Sequence, residues 1–87
     1  MFKKRRGIKL SYNKQGLIHF VCVNYNDMSD DVQDRIKTLC SDVGKEHSEV
    51  LFQVVTNDSK SIRALAQEYH ICETQLYYYR KLFYENW

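Results

Sequence analysis

The chain has 87 residues, of which 44% are hydrophobic and 28% charged, and its formal net charge is +2 at pH 7. This composition is too apolar for a disordered segment, and no apolar run approaches the roughly 20 residues that a membrane-spanning helix needs. The absence of proline and the low glycine content allow regular structure through most of the chain. We therefore expect one small globular domain that does not enter a membrane.

The first ten residues, MFKKRRGIKL, form a basic arm (residues 1–10) with five cations and no acid. Residues 11–59 carry four cations against eight acids, and residues 60–87 carry four against three. A basic arm on an acidic body is typical of proteins that contact phosphates, although a solvated terminus that aids solubility accounts for the same charge. The arm lacks the apolar region of a signal peptide, so we expect a cytoplasmic protein.

The next segment, residues 12–26, permits two structures. A β-hairpin would place Gly16 in its turn. A helix would use Asn13 as its N-cap and would align five side chains on one face, namely Leu17, Ile18, Val21, Cys22 and Tyr25. Because nothing else in the chain resembles a strand and an isolated hairpin is only marginally stable, the pattern favours the helix.

Two further helices are predicted in the acidic middle of the chain. Ser29 is a good N-cap for a helix to about Ser41, with the acids Asp30 and Asp31 in its first turn. Its apolar side consists of Val32, Ile36, Leu39, Cys40 and Val43, and Gly44 suits its carboxyl-terminal stop. The next helix is expected from about Glu46 to Val55, with Val50, Leu51, Val54 and Val55 buried and Phe52 at the margin.

Residues 61–83, SIRALAQEYHICETQLYYYRKLF, predict two short helices with a tight connection, which is the helix-turn-helix arrangement. Ser61 is the expected cap of the first helix and Cys72 that of the second. The apolar positions fall at helical spacing, with Ile71 in the turn: Ile62, Leu65, Ala66, Tyr69, Leu76, Tyr79 and Phe83. The predicted fold is therefore all-α with about five short helices, a helical domain over residues 11–87 and the helix-turn-helix at its end.

The outward face of the last helix is polar, aromatic and cationic, as in a helix that enters the major groove of DNA. We expect it to comprise Glu73, Thr74, Gln75, Tyr77, Tyr78 and Lys81. Gln75 could pair with an adenine edge, and Lys81 could reach guanine or phosphate. The predicted DNA contacts are Thr74, Gln75, Tyr77, Tyr78, Arg80 and Lys81, with Lys3, Lys4, Arg5 and Arg6 of the arm on the backbone or in the minor groove. Helix-turn-helix units also occur as protein-docking elements, and exposed tyrosines suit both uses.

The segment SIRALAQEYHICETQLYYYRKLFYENW resembles the carboxyl-terminal helix-turn-helix of ArpU/RinA-like late transcription regulators of phages and prophages of Gram-positive bacteria, a unit similar to region 4 of sigma factors. The resemblance is carried by Ile62, Ala66, the Ile71-Cys72 step, Leu76 and Arg80. Cys72 replaces the usual cap serine, and His70 stands where many such turns carry glycine. The resemblance implies transcription regulation in a bacterial cell, by binding double-stranded promoter DNA or by acting beside RNA polymerase.

Two other interpretations remain open. The acidic middle and the aromatics Tyr77, Tyr78, Tyr84 and Trp87 would also suit a module that binds RNA polymerase or another host protein. A homodimer through the carboxyl-terminal end, which is rich in tyrosine and tryptophan, is the third interpretation, and it would favour a two-fold operator.

Catalytic and metal chemistry have little support in the sequence. Only His19 and Cys22 have the close spacing of metal ligands, and no phosphate loop or nucleophile elbow accompanies the histidines and cysteines. We expect no enzyme, no metal site and no cofactor. The odd number of cysteines and their wide spacing predict reduced thiols, with Cys22, Cys40 and Cys72 acting as small buried hydrophobes.

Overall fold

The fold is all-helical across the residues that the computed structural model describes, which are 4–5 and 7–87. Five α-helices follow one another: α1 (Tyr12–Val23), α2 (Asp30–Gly44), α3 (Ser48–Thr56), α4 (Ile62–Tyr69) and α5 (Glu73–Glu85). Short 3₁₀ turns at Tyr25–Asp27 and Lys45–His47 lead into α2 and α3. The all-α prediction is confirmed, and the helical interpretation of residues 12–26 is correct.

Serine residues are the N-caps of three helices. The Oγ atoms of Ser11, Ser29 and Ser61 accept hydrogen bonds from the backbone N–H groups of Lys14, Val32 and Ala64, respectively. Each bond satisfies one amide that the first helical turn would otherwise leave unpaired. The caps at Ser29 and Ser61 were predicted. The predicted cap at Asn13 is wrong, because the helix begins two residues earlier in the chain, after Ser11.

The buried side of α1 differs from the predicted one. Ile18 and Cys22 are fully buried, whereas the predicted core residue Leu17 is 60% exposed. Phe20 has the same exposure, so α1 presents two large apolar side chains to solvent. The helix instead turns Gln15 inward, in phase with Ile18 and Cys22, because that amide has partners in the basic arm.

The end of α2 is also displaced from its prediction. Gly44 is the last residue of the helix and has ordinary helical dihedral angles, while Lys45 takes the positive φ of 52°. Gly44 lies close to α3, and a Cβ atom there would make a tight contact of 3.3 Å with Leu51 Cδ2. The helix therefore ends at Gly44, three residues beyond the predicted end at about Ser41, and the glycine serves the close approach of α3 to α2 rather than a positive φ.

Two hydrophobic clusters make up the core. The larger one joins α1, α2, α3 and the end of α5, and its central side chains are Ile18, Ile36, Leu51 and Phe83. The smaller one consists of Val50, Ile62, Leu65, Ala66 and Leu76. Helices α3 and α5 contribute to both clusters, and Tyr79 packs against both. The α4–α5 pair is thus fixed to the rest of the fold through α3 and through the length of α5.

The three cysteines have free thiols, but they do not share one environment. Cys22 and Cys40 are buried in the larger cluster, and burial raises the pKa of each thiol to about 12. Cys72 is exposed, which contradicts its predicted burial, because it occupies the cap position in front of α5 rather than the inner side of a helix.

The described part of the basic arm lies against the helices. Ile8 is buried in the larger cluster, and the Lys9 N–H donates to Glu85 Oε2 at 2.9 Å. The fully buried Gln15 accepts from the Arg5 N–H at 2.9 Å and donates to the Leu10 carbonyl at 3.0 Å. The arm is therefore held between α1 and the end of α5.

Candidate nucleic-acid interface

A three-residue turn joins α4 to α5. His70 ends α4 in the left-handed conformation (φ 55°, ψ 45°), and both its N–H and that of Ile71 donate to the Ala66 carbonyl. The Ala66 carbonyl near the helix end thus accepts two hydrogen bonds, as happens at helix ends where glycine takes the left-handed conformation. A histidine takes that conformation here, although its Cβ atom makes it sterically unfavourable. Ala66, one of the predicted apolar positions, is buried in the smaller cluster with Leu76 of α5.

Cys72 begins α5 without a side-chain cap hydrogen bond of ordinary geometry. Its sulfur nevertheless lies near the first-turn amides of Gln75 and Thr74, which lower the pKa of the thiol. A sulfur atom is a weak acceptor, so it replaces a serine cap only in part.

Helix α5 is fixed from its inner side by Leu76, Phe83 and Tyr84, which are all buried. The opposite side carries a row at helical spacing that contains three predicted DNA contacts, Thr74, Tyr78 and Lys81. Tyr78 is 54% exposed and Thr74 is exposed, so both are accessible to a partner. Lys81 Nζ lies 3.9 Å from Glu85 Oε1 in the same row, a partly exposed pair that contributes little to stability. We call Thr74, Tyr78 and Lys81 the outward row.

Gln75 lies beside the outward row. Its Nε2 donates to the Tyr79 hydroxyl at 2.7 Å, which leaves one N–H donor and the Oε1 acceptor for other contacts. Tyr79 is partly buried, and its ring lies 5.8 Å from that of His47. The Tyr79 hydroxyl therefore orients the Gln75 amide. These positions agree with the prediction that Tyr79 belongs to the core and that Tyr77 and Tyr78 lie on the surface.

On the other flank of α5, Tyr77 and Arg80 face the basic arm. The Arg80 guanidinium lies over the Tyr77 ring at 5.2 Å, and the Arg5 guanidinium lies over the Tyr84 ring at 5.4 Å. Burial, together with the charge of Arg5, lowers the pKa of Arg80 to about 10, so Arg80 stays protonated at neutral pH. Two cations thus lie close together beside the carboxyl-terminal half of α5.

The predicted DNA contacts therefore lie on separate parts of the protein surface. Thr74, Tyr78 and Lys81 share the outward row, while Tyr77, Arg80 and Arg5 share one flank. Lys4 is exposed in the arm, and Lys3 and Arg6 lie outside the described residues.

Two aromatics expected on the surface, Tyr84 and Trp87, are covered to different degrees. Tyr84 is 2% exposed, and burial raises the pKa of its hydroxyl. Trp87 packs on Phe83 with ring centroids 5.9 Å apart, and the Arg35 guanidinium covers it at 4.7 Å. The prediction that Tyr84 is an exposed contact residue is therefore wrong, whereas Trp87 is partly covered by these neighbours. The dimer through this end stays a prediction.

Three polar residues near this flank were not singled out as contacts. Gln15 positions the arm, and His19 and Lys60 line a cleft beside Arg80. Gln15 could have been found from its phase, since it lies three and seven residues before the apolar Ile18 and Cys22. The sequence gives no such signal for Lys60, which reaches the cleft only through the packing of α4.

No group of three histidine, cysteine, aspartate or glutamate side chains within the described ranges could hold a metal ion. None of the helices in this part of the chain has the length and apolar character required to span a membrane. Comparison of the chain with known protein families, curated proteins and solved structures gives no match. The resemblance to phage regulators therefore stays a prediction.

Proposed function

We propose that this protein is a sequence-specific DNA-binding transcription regulator that inserts α5 into the major groove. The observation that carries the proposal is the exposed outward row of a helix whose opposite side is anchored in both core clusters. A helix held in this way presents its side chains to the base edges without having to order first.

Each part of the surface has a distinct chemical role in this proposal. Thr74 and Gln75 supply hydrogen-bonding groups to base edges near the start of the helix, where recognition helices usually make their base contacts. Tyr78 contacts sugars or bases, and Lys81 reaches phosphate or guanine. Arg5 and Arg80 supply positive charge beside the helix, which offsets the repulsion of phosphate by Glu73.

The test is a fluorescence-anisotropy titration of duplex DNA at about 50 mM and 200 mM salt. We expect binding to weaken with salt, because cations on the protein displace counterions from the phosphates. The Lys81→Ala variant should reduce the slope of log K against log salt by about 0.9 if Lys81 contacts one phosphate.

A matched control is Lys37→Ala, which removes an exposed lysine from α2. This variant should keep the wild-type salt slope. Binding that ignores salt, or that is absent at the lower salt concentration, would contradict the proposal, as would equal effects of the two substitutions.

A second candidate function is docking to a host protein such as RNA polymerase. It is favoured by Leu17 and Phe20, which α1 presents to solvent at 60% exposure each, one helical turn apart. Purified RNA polymerase should then bind the wild-type chain more tightly than the Phe20→Ser variant. Equal retention of both proteins by the polymerase would exclude this face as the contact.

A further inference from the structure

A polar cleft of about 300 Å³ lies where the arm meets four of the helices. The arm, α1, the end of α3, the start of α4 and α5 each contribute to it, and the polar groups that line it include Arg5, His19, Lys60, Ser61, Tyr77 and Arg80. At about 30 Å³ for each water of liquid, the cleft has room for about ten water molecules, which is ample for a tetrahedral anion and some of its hydration shell.

The fixed charge around the cleft is positive. Arg5, Lys60 and Arg80 are cations, and the opposing carboxylate in the lining is that of Asp58, which leaves two positive charges with His19 neutral. Asp58 Oδ1 lies 3.8 Å from His19 Nε2, but its side chain is 72% exposed and screened by solvent. Burial, followed by the charge of Arg5, lowers the pKa of His19. The surroundings of the cleft thus disfavour protonation of His19.

Arg80 carries an unsatisfied hydrogen-bond donor beside this cleft. Its Nε atom is buried and has no hydrogen-bond acceptor within the described part of the chain. No carboxylate of those residues lies within ion-pair distance of its guanidinium either. A partly buried guanidinium with no anion beside it is destabilising, so an anion that enters the cleft should stabilise this site.

The other groups of the lining suit an anion with several acceptor oxygens. Lys60 Nζ is 2.8 Å from Glu68 Oε1, a half-exposed pair that is weak enough to exchange for a ligand. Ser61 Oγ accepts from the Ala64 N–H at 3.1 Å, which leaves its proton available for donation. Guanidinium, ammonium and hydroxyl groups in one lining are the kinds of donor that bind a phosphate group.

From these observations we propose that the cleft between the arm, α1, α3, α4 and α5 is a phosphate-binding site centred on Arg80. The inference goes beyond DNA binding by α5, because a free phosphate ester and a phosphate of the DNA backbone present the same chemistry to the cleft. In the first case the ligand is a separate effector, and in the second the cleft anchors the duplex beside the outward row.

The first experiment titrates the whole chain with inorganic phosphate and monitors binding by the amide chemical shifts. The ionic strength is held constant, and chloride is the reference anion. We expect saturable shifts around Lys60, Ser61 and Arg80 that chloride does not reproduce. The Arg80→Gln and Lys60→Gln variants should each bind phosphate about tenfold more weakly, the loss expected for a charge-assisted hydrogen bond. Lys37→Gln, which changes a lysine outside the cleft, should bind as the wild type does.

Thermal unfolding separates a ligand role of Arg80 from a structural one. Phosphate should raise the Tm of the wild type and have a smaller effect on Arg80→Gln, since ligand binding to the native state stabilises it. An Arg80→Gln protein that unfolds earlier but retains wild-type phosphate affinity would overturn the proposal. So would the absence of saturation with phosphate, or equal shifts with chloride.

Adding duplex DNA to the phosphate-saturated protein then identifies the source of the phosphate group. Release of the bound phosphate by DNA assigns the cleft to the DNA backbone, and simultaneous binding of both assigns it to a separate phosphate ester. Phosphate binding without any DNA binding supports the cleft while contradicting the proposed function, so the two proposals fail independently.

Discussion

At the scale of single residues, Lys45 and His70 have positive φ angles, of 52° and 55°. Side chains with a Cβ atom are disfavoured in this region by roughly 1–2 kcal/mol. Lys45 follows the last residue of α2 and His70 ends α4, so each directs the chain into the next element. Both positions therefore favour glycine on steric grounds.

Lys45→Gly should raise the free energy of unfolding by up to about 1 kcal/mol, because relief of the backbone strain exceeds the added entropy of the unfolded chain. For a domain of this size the expected rise in Tm is roughly 4–8 °C per kcal/mol. His70→Gly should act in the same direction. The control Lys37→Gly places glycine within α2 and should lower the free energy of unfolding by about 1 kcal/mol. An equal decrease in Lys45→Gly would contradict the positive φ angle assigned to Lys45.

His19 predicts a pH dependence of stability. Its pKa lies below the ordinary value of 6.5 because burial and the charge of Arg5 disfavour the imidazolium. The unfolded chain then binds more protons than the native chain, so stability is full above about pH 6.5 and falls as the pH decreases through the lowered pKa. Because other groups titrate as well, the pH dependence of the free energy of unfolding is compared between the wild type and His19→Gln. The variant should lose less stability between about pH 7 and pH 5 in phosphate-free buffer. An unchanged or steeper loss would contradict the burial of His19.

At the scale of helices, local signals predicted most of the boundaries. Serine followed by acids, as in Ser29-Asp30-Asp31, identifies a helix start because the cap and the charges act within one turn. The features that were missed depend on contacts between elements. Gly44 is used for its fit against Leu51, and the inward face of α1 includes Gln15 because the arm supplies its partners. The spacing of apolar residues places Gln15 in phase with Ile18 and Cys22, but it identifies neither the arm as the partner of Gln15 nor Leu51 as the neighbour of Gly44.

Gln15→Leu tests the attachment of the arm to α1. The substitution keeps a similar volume but leaves the Arg5 N–H and the Leu10 carbonyl without this partner, which should cost about 1–3 kcal/mol. Hydrogen exchange of the Arg5 amide should become much faster. The control Gln33→Leu removes a comparable bond to the Tyr25 carbonyl and should leave the Arg5 amide protected. Equal exchange at Arg5 in the two variants would show that Gln15 does not hold the arm.

At the scale of the whole molecule, the proposed DNA interface includes the place where the arm meets the helices. The amino-terminal arm and the end of α5 are joined by the bond from Lys9 to Glu85, 76 positions apart in the chain. The sequence indicated a basic arm and a polar outer face of α5 as separate features. Their proximity, with Arg5 beside Arg80, arises from tertiary packing and could not be predicted from composition or periodicity.

The most direct test of the central claim is to map the amide shifts of the protein as duplex DNA is added at low salt. We expect the largest changes at Thr74, Tyr78 and Lys81 of α5 and at Arg5 of the arm, and we expect them to diminish as salt is added. Changes concentrated at Leu17 and Phe20 of α1, or no changes at low salt, would contradict this claim.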